Sequence, residues 1–367
     1  MAAEKLRALP RRTASPTTVG TPGEGDVIPS QKGERTSGPD PFVLCRTLVD
    51  PALRCQIATL PRSMRMIAGY HFGWWDRDGQ PTPGRNQGKA VRPALTLLSA
   101  LAVGGDEVGA VPAAVAIELV HNFSLLHDDV MDRDVERRHR PTAWTVFGTE
   151  NAVLAGDALL ALAPSCIAVC GEQLVQVLMQ AVLELCDGQF ADLAFQERDV
   201  VGLDECLEMA NGKTASLLGA ACQVGALAGG ATAARARLLR DFGRHLGLAF
   251  QLVDDQLGIW GDPEVTGKPV HADLRARKKS LPVVAAMTLG SADGTKIAEL
   301  YRSAQLSDGQ LLELAGLIER AGGREWTQTA AEEQIEAATA CLTAAEVVPG
   351  IAGKLQELAN LVLSRKH

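Results

Sequence analysis

Two pairs of adjacent aspartates, Asp128-Asp129 and Asp254-Asp255, each follow a long run of apolar residues with helical spacing, and Asp132 follows the first pair. Successive helical residues are rotated by about 100°, so Asp128 and Asp132 share one face near the end of their predicted helix. Carboxylates placed there repel each other and the electronegative helix end unless solvent or cations neutralise them. One pair alone could be a solvated acidic surface. Two such pairs predict facing metal platforms, and oxygen ligands without histidine or cysteine favour magnesium.

Basic side chains near these aspartates are candidates for binding substrate phosphates. Magnesium commonly bridges protein carboxylates to phosphates, and arginine binds phosphate through paired hydrogen bonds. The candidates are Lys89, Arg92, Arg137, Arg138, Lys213, Lys268, Lys278 and Lys279. Each residue alone could equally be a solvated surface charge, but together with the aspartates they favour a diphosphate site. The G-K-T tripeptide at 212–214 lacks the upstream glycine of a P-loop and lies in helical sequence, which excludes an NTPase.

The elements that must position these residues are predicted to be helices. From Phe42 onward the apolar residues follow a helical period, and no segment alternates convincingly as a strand would. Predicted helices cover residues 42–59, 62–73, 89–103, 111–133, 151–164, 171–197, 203–227, 232–260, 281–289, 292–303, 307–322, 326–344 and 350–364. Glycine- and proline-rich turns separate many of them. We therefore predict a single all-α domain spanning residues 41–367.

Residues 1–40 differ in composition from the rest of the chain. They are rich in proline, glycine, serine and threonine and lack periodic apolar positions. Such a segment cannot bury enough surface to offset the entropy lost on ordering. We predict a disordered tail, which is either an inert extension or a docking tag for a partner protein or larger assembly.

Bulk composition narrows the class of protein. Acidic residues outnumber basic ones by 44 to 36, and the net charge of −8 argues against a nucleic-acid binder. Eight cysteines without a C-x-x-C pair predict reduced thiols and a cytoplasmic location. No uninterrupted apolar run approaches the about 20 residues of a membrane-spanning helix, so no span is expected.

Five motifs in order resemble those of the trans-polyprenyl diphosphate synthase family. They are GKAVRP (88–93), HNFSLLHDDVMD (121–132), RRHRPT (137–142), GKT (212–214), and FQLVDDQLGIWGD (250–262) with TGK and KKSLP after it. The resemblance covers about residues 42–360. It implies an isoprenoid synthase fold, an orthogonal bundle of helices around a central cavity, and usually a homodimer.

The resemblance also implies roles for individual residues. Three magnesium ions would be held by five carboxylates, those of Asp128, Asp129, Asp132, Asp254 and Asp255. With the ions, four basic residues would bind the diphosphate of an allylic substrate: Arg137, Lys213, Lys268 and Lys278. Isopentenyl diphosphate would be positioned by Lys89, Arg92, His121 and Arg138, and its double bond would attack the allylic cation. Thr214 and Gln251 would stabilise that cation by their dipoles.

Two positions depart from the family pattern. Gly258 stands where the second aspartate-rich motif often has its third aspartate, and His139 replaces a glycine after the arginine pair. We expect activity despite the first change, because Asp254, Asp255, Gln251 and Lys268 remain. Asp262 could compensate through a bound water, and Gly258→Asp is expected to change the rate only modestly.

The residues just before Asp128 are expected to set product length. Phe123 resembles the aromatic residue that limits the chain in geranylgeranyl-forming relatives, and the small Ser124 should leave the channel open. The expected product is geranylgeranyl diphosphate, made from dimethylallyl, geranyl or farnesyl diphosphate, and farnesyl diphosphate is the next candidate product. The alternatives are a terpene cyclase on the same fold, which needs no isopentenyl site, and a non-catalytic partner subunit.

Overall fold

The computed structural model describes residues 40–82, 90–263, 269–303 and 305–363. The predicted tail therefore lies outside the described residues up to position 39, and so do Lys89 and Lys268. The proposed docking tag and the roles of these two lysines stay predictions.

Helices dominate the first half of the chain from Pro41 onward. They are α1 (Pro41–Leu44), α2 (Asp50–Ala58), α3 (Arg62–His71), α4 (Val91–Ala102), α5 (Val111–Met131), α6 (Ala143–Phe147), α7 (Thr149–Ile167) and α8 (Glu172–Gln196). A π turn, Cys45–Val49, joins α1 to α2, and a 3-10 turn, Ala168–Cys170, follows α7. A small antiparallel hairpin of β1 (Glu136–Arg137) and β2 (Arg140–Pro141) follows α5. These are the named strands among the described residues.

The second half is also helical. Its helices are α9 (Leu203–Ala210), α10 (Ser216–Ala228), α11 (Ala233–Trp260), α12 (Ala272–Arg275), α13 (Leu281–Thr288), α14 (Ala292–Tyr301), α15 (Asp308–Arg320), α16 (Gly323–Ala344) and α17 (Pro349–Leu363). A second π turn, Asn211–Ala215, joins α9 to α10 and carries the G-K-T tripeptide. The predicted helix at 203–227 is thus continuous but has this irregular turn in its middle.

The two long helices that end in aspartate pairs lie in the core. Helix α5 packs against α4, α7 and α10, and α11 packs against α10 and α16. Close packing of α10 on α4 needs a glycine: a Cβ built on Gly225 would lie 2.1 Å from the carbonyl oxygen of Thr96. Because α10 contacts both α5 and α11, the core sets the positions of the two aspartate-bearing ends.

One helix bears on the expectation that the chain has no membrane span. Within the described residues, one helix, Thr149–Cys170, is long and apolar enough to cross a membrane by length and composition, and 33% of its most apolar stretch is buried in the protein. Asp157 interrupts the apolar run of this helix, so the run is not continuous in the sequence. Core helices of soluble proteins pass the same test.

Candidate active site

The first acidic cluster lies at the end of α5, where Asp128 is flanked by a lysine and another carboxylate. Burial raises the pKa of the Asp128 carboxyl; Lys213 opposes the shift and Asp132 adds to it. Asp132 ends the helix, and its Oδ1 atom is buried without a hydrogen-bond partner. A buried carboxylate oxygen is costly without a donor or cation, so this atom suits a cation ligand.

Asp129 is turned towards the hairpin that follows α5. Its Oδ1 accepts a hydrogen bond from Arg137 Nε at 2.7 Å, whereas its Oδ2 is buried without a partner. Burial raises the pKa of the Asp129 carboxyl to about 6, although Arg137 opposes the shift. One oxygen of the three-aspartate motif is therefore already held by an arginine. The predicted role of Asp129 as a metal ligand stays a prediction.

The second acidic cluster, on α11, contains one exposed and one buried aspartate. Asp254 is exposed, whereas Asp255 is buried and both of its oxygens accept hydrogen bonds. The donors are Gln251 Nε2 at 2.7 Å and the backbone N–H of Leu281, at the start of α13, at 2.8 Å. Burial, with the charge of nearby Asp273, raises the pKa of Asp255 to about 7. Asp255 thus ties α11 to α13, and Asp254 presents its carboxylate to solvent.

A chain of hydrogen bonds links Asp255 to the G-K-T turn. Thr214 Oγ1 donates to Gln251 Oε1 at 2.6 Å, and Gln251 donates to Asp255 in turn. An ionised carboxylate can only accept hydrogen bonds, so it orients the amide of Gln251 and makes the Thr214 hydroxyl the donor. The lone pairs on Thr214 Oγ1 remain available to face a positive charge. The structure therefore brings together the two residues predicted to stabilise a cation.

Two lysines accompany the acidic clusters. Lys213 Nζ lies 2.5 Å from Asp192 Oδ2 on α8. Burial lowers the pKa of Lys278, but the surrounding carboxylates outweigh that effect and raise it; they are Asp273, Asp192, Asp132 and Asp255. Carboxylates of both clusters therefore act on Lys278, so this lysine lies within electrostatic reach of both. Sequence reasoning missed Asp192, whose signal was one acidic residue near the end of a mostly apolar helix.

A separate basic pocket lies beside the hairpin. It is lined by Tyr70, His71, Asp129, Arg137, Arg138, Arg140, Pro141, Thr142 and Ala143. Arg138 and His139 form the hairpin turn with φ of 53° and 59°, a conformation that favours glycine. The strained turn explains why a glycine would be suited to position 139, and it presents Arg137 and Arg138 side by side.

Arg92 and His121 extend the basic character of this region. Arg92 Nη1 donates to His121 Nε2 at 3.3 Å, and Arg92 Nε is buried without a partner. Burial lowers the pKa of Arg92 to about 10 despite the favourable charge of Glu118. Burial and nearby arginines hold the pKa of His121 well below its usual value. His121 is therefore neutral at pH 7, accepts through Nε2 and keeps its proton on Nδ1.

His71 and Asn122 were missed by sequence reasoning. His71 lines the basic pocket and its Nε2 donates to Asn122 Oδ1 at 3.2 Å, while Asn122 Nδ2 donates to Glu118 Oε1 at 2.9 Å. Burial and neighbouring arginines lower the pKa of His71 to about 3. The sequence signal for His71 is its place in an aromatic stretch, Tyr70–Trp75, a composition that is equally typical of core packing.

The predicted chain-length residues lie where α5 meets α7. Phe123 is buried and packs edge-to-face on His127, with ring centroids 4.7 Å apart. His127 Nε2 lies 3.0 Å from the carbonyl oxygen of Val153, and a Cβ on Gly156 would lie 2.4 Å from the His127 ring. Ser124 Oγ donates to the backbone of α5 one turn earlier. Phe123 thus belongs to a wall built from two helices.

The carboxylates of the two acidic clusters suit a magnesium ion that keeps several water ligands. Within the described ranges, no three His, Cys, Asp or Glu side chains are arranged to hold a metal ion by themselves. Magnesium is usually held by one or two carboxylates, several waters and substrate phosphates, so it does not need such a cage. The exposed Asp254 and the unpartnered oxygen of Asp132 fit that mode of binding.

Comparisons with known proteins agree on one family. The model of the polyprenyl synthetase family matches residues 84–318. A (2E,6E)-farnesyl diphosphate synthase of Mycobacterium tuberculosis is 46% identical over 331 residues, which are 88% of this chain and 92% of that protein. A geranylgeranyl diphosphate synthase of the same organism is 45% identical over 301 residues, which are 80% of this chain and 85% of that protein.

Solved structures agree with the predicted fold class. A polyprenyl synthetase of Streptomyces coelicolor superposes with a TM-score of 0.83 at 46% identity, covering 86% of this chain and 97% of that one. A geranylgeranyl pyrophosphate synthetase of Pyrococcus horikoshii superposes with a TM-score of 0.78 at 31% identity, covering 88% of this chain and 98% of that one. The predicted all-α bundle of the isoprenoid synthase type is therefore confirmed.

Proposed function

The chain belongs to the polyprenyl synthetase family and is a prenyltransferase, and from this premise we propose that it condenses isopentenyl diphosphate with an allylic diphosphate to a short-chain trans-prenyl diphosphate. The primer is dimethylallyl, geranyl or farnesyl diphosphate, and the main product is geranylgeranyl diphosphate, with farnesyl diphosphate next. The observation that carries the proposal is the presence of two distinct places for diphosphates. One is formed by the two acidic clusters with Lys213 and Lys278 close to their carboxylates, and the other is the basic pocket.

The two acidic clusters are suited to binding the allylic diphosphate. Asp128 and Asp132 would hold two magnesium ions and Asp254 a third. Magnesium bound there would neutralise the charge that develops on the leaving diphosphate. Lys213 and Lys278 bind the oxygens of that diphosphate directly. Lys278 is well prepared for this role because its carboxylate neighbours keep it protonated.

The cation left by ionisation must be shielded from water and other nucleophiles. Thr214 already donates its hydroxyl proton to Gln251, so its oxygen can point electron density at the cation. Gln251 Nε2 donates a hydrogen bond to the buried Asp255, which keeps the amide group of Gln251 from flipping. The hydrogen-bond chain therefore gives the cation a fixed set of dipoles rather than mobile solvent.

The basic pocket is suited to isopentenyl diphosphate. Arg92 and Arg138 offer guanidinium groups, and the neutral His121 can donate from Nδ1 to a phosphate oxygen. Arg137 lines the pocket and donates a hydrogen bond to Asp129 of the first acidic cluster. The double bond of isopentenyl diphosphate then attacks the allylic carbon, and proton loss, which we assign to the released diphosphate, completes the five-carbon extension.

Labelled substrate tests this proposal against its alternatives. Radiolabelled isopentenyl diphosphate is supplied with each allylic primer in turn, and the products are dephosphorylated and separated by chain length. Incorporation into a twenty-carbon alcohol supports the proposal. A cyclase would consume the primer without incorporating label, and a non-catalytic subunit would consume neither substrate.

A matched pair of variants tests the isopentenyl site. Arg92→Gln removes a half-buried guanidinium close to Arg138 of the pocket and should raise the KM for isopentenyl diphosphate more than the KM for the primer. Arg46→Gln removes an exposed arginine and serves as the control. Equal effects on both KM values for Arg92→Gln would contradict the assignment of the two sites.

We also propose that the chain is a homodimer in the cytoplasm. Helices α7 and α8 expose large apolar side chains, among them Leu154 at 53%, Leu183 at 64% and Phe190 at 71%. Such side chains on neighbouring helices are typical of an association surface. All eight cysteines are free thiols, as a reducing compartment requires.

Sedimentation analysis tests the dimer directly. Phe190→Glu should shift the protein towards monomer because it places a charge in the apolar surface. Leu312→Glu changes an exposed leucine on α15 and should leave the mass unchanged. A monomeric wild-type protein would refute the proposal.

A further inference from the structure

The glycine at position 258 leaves room that a distant carboxylate fills. Gly258 follows Asp254 by four residues on α11, so both positions share one helix face about one turn apart. A Cβ built on Gly258 would lie 2.0 Å from Asp273 Oδ2 and 2.4 Å from Asp273 Cγ. The carboxylate of Asp273 therefore occupies the space that a side chain at position 258 would use.

This contact argues against the expectation that Gly258→Asp changes the rate only modestly. A new Cβ cannot enter without displacing the carboxylate of Asp273, and a second carboxylate there would add repulsion. The obstacle is the end of a side chain rather than backbone, so the space becomes available when Asp273 is shortened. The two positions are alternatives for one carboxylate.

Local structure holds Asp273 in this place. It is a buried residue of the short helix α12, which packs against α11. His271 enters α12 with a φ of 62°, and the backbone N–H of Lys278 donates to the carbonyl oxygen of Asp273 at 2.9 Å. The same turn therefore places the carboxylate of Asp273 and the amine of Lys278 in one neighbourhood.

Not every other carboxylate of the second cluster is available to bind a metal ion. Both oxygens of Asp255 are engaged by Gln251 and by the start of α13. Asp262, the residue that sequence reasoning offered as a substitute, is exposed beyond the end of α11. Asp254 is thus the carboxylate of this pair that is left to bind a cation, and the carboxylate of Asp273 lies against the same helix face, at Gly258.

We propose that Asp273 supplies the third carboxylate of the second acidic site, in the space left by Gly258, and binds magnesium there together with Asp254. This inference rests on the proposed function. It assigns a ligand from a different part of the chain to a position that the aspartate-rich motif lacks.

Manganese affinity tests the proposal without relying on turnover. Mn²⁺, a magnesium substitute, is titrated into the full chain with inorganic diphosphate, and free Mn²⁺ is followed by electron paramagnetic resonance. Asp273→Asn keeps the size of the side chain and removes its charge, and it should weaken Mn²⁺ binding by about 10- to 100-fold. Asp262→Asn is the matched control and should bind Mn²⁺ like the wild type.

A relocation of the carboxylate completes the test. Asp273→Ala should weaken Mn²⁺ binding as Asp273→Asn does, and the double variant Gly258→Asp/Asp273→Ala should regain at least part of the affinity. A purely structural role for Asp273 would lower the melting temperature without changing Mn²⁺ affinity. Far-UV circular dichroism checks the fold, and Asp273→Asn alone carries the test if the alanine variants do not fold.

The outcomes separate this inference from the proposed function. Wild-type affinity in Asp273→Asn, or no gain in the folded double variant over Asp273→Ala, would overturn the role of Asp273 and leave the proposed function in place. Failure of the wild-type chain to bind Mn²⁺ and diphosphate at all would overturn both.

Discussion

The buried carboxylate of Asp255 should make the metal-free protein less stable at alkaline pH. Burial and the charge of Asp273 raise the pKa of Asp255 from 3.8 to about 7. The folded state therefore binds this proton more tightly than the unfolded state, and stability rises as pH falls through 7. Each pH unit between these two pKa values contributes about 1.4 kcal/mol, so Asp255 alone should add about 2 kcal/mol of stability between pH 8 and pH 5.5.

The variant Asp255→Asn isolates this contribution. It removes the charge, retains one acceptor for the N–H of Leu281, and has no proton to gain over this range. The difference in unfolding free energy, variant minus wild type, should therefore be about 2 kcal/mol larger at pH 8 than at pH 5.5. Urea denaturation in a chelator at the two pH values measures it, and the other titrating groups cancel in the difference.

The neighbouring aspartate provides the control. Asp254→Asn removes the same charge from an exposed position, and its unfolding free energy should change by less than about 0.5 kcal/mol at pH 8. A difference for Asp255→Asn that is the same at both pH values would refute the reasoning. Turnover of Asp255→Asn should fall even where the protein is more stable, because an asparagine no longer enforces the orientation of Gln251.

Three further predictions concern activity. Asp128→Ala should lower turnover by at least about 100-fold, because it removes a charge that binds metal beside the leaving group; full activity in this variant or in excess chelator would contradict the metal assignment. Phe123→Ala should lengthen the product and Ser124→Phe should shorten it, because both act on the wall between α5 and α7; chromatography of the dephosphorylated products measures this, and an unchanged distribution for both would mean that the floor lies elsewhere. A chain that starts at Pro41 should keep kcat and KM, since the tail is assigned no part in the site; a large loss of turnover with an intact fold would reverse that view.

Much of the fold was predictable because it depends on local pattern. Helical periodicity located α5 and α11, and with them the two aspartate pairs at their ends, since repeated apolar positions identify a helix before any contact is known. The helix end at Trp260 agrees with the prediction, because Gly261 and Pro263 follow it. The π turn at Asn211–Ala215 was not predicted, because helical sequence continues on both sides of it.

The residue types near the site also carried much of its chemistry. Aspartates with the spacing of one helical turn, and arginines directly after them, indicated cations and phosphates without any coordinates. Arg92 and His121 could also be assigned to one substrate from the sequence, because both lie in motifs that resemble those of the family.

What the tertiary structure decided was the direction of each side chain and its long-range partners. Sequence alone grouped Asp129 with Asp128, whereas the fold pairs Asp129 with Arg137 and turns it towards the basic pocket. It also grouped Asp255 with Asp254, whereas the fold buries Asp255 against the start of α13. Adjacent residues on a helix point about 100° apart, so a motif of neighbours serves two environments once other helices pack around it.

The clearest case is position 258. The sequence showed only that a carboxylate was missing there, because a motif is read along the chain. The carboxylate that fills the space belongs to Asp273, fifteen positions later in the numbering, and only the packing of α12 on α11 brings the two together. A metal site requires charges that are close in space. Such charges form a motif in the sequence only when they lie on the same helix.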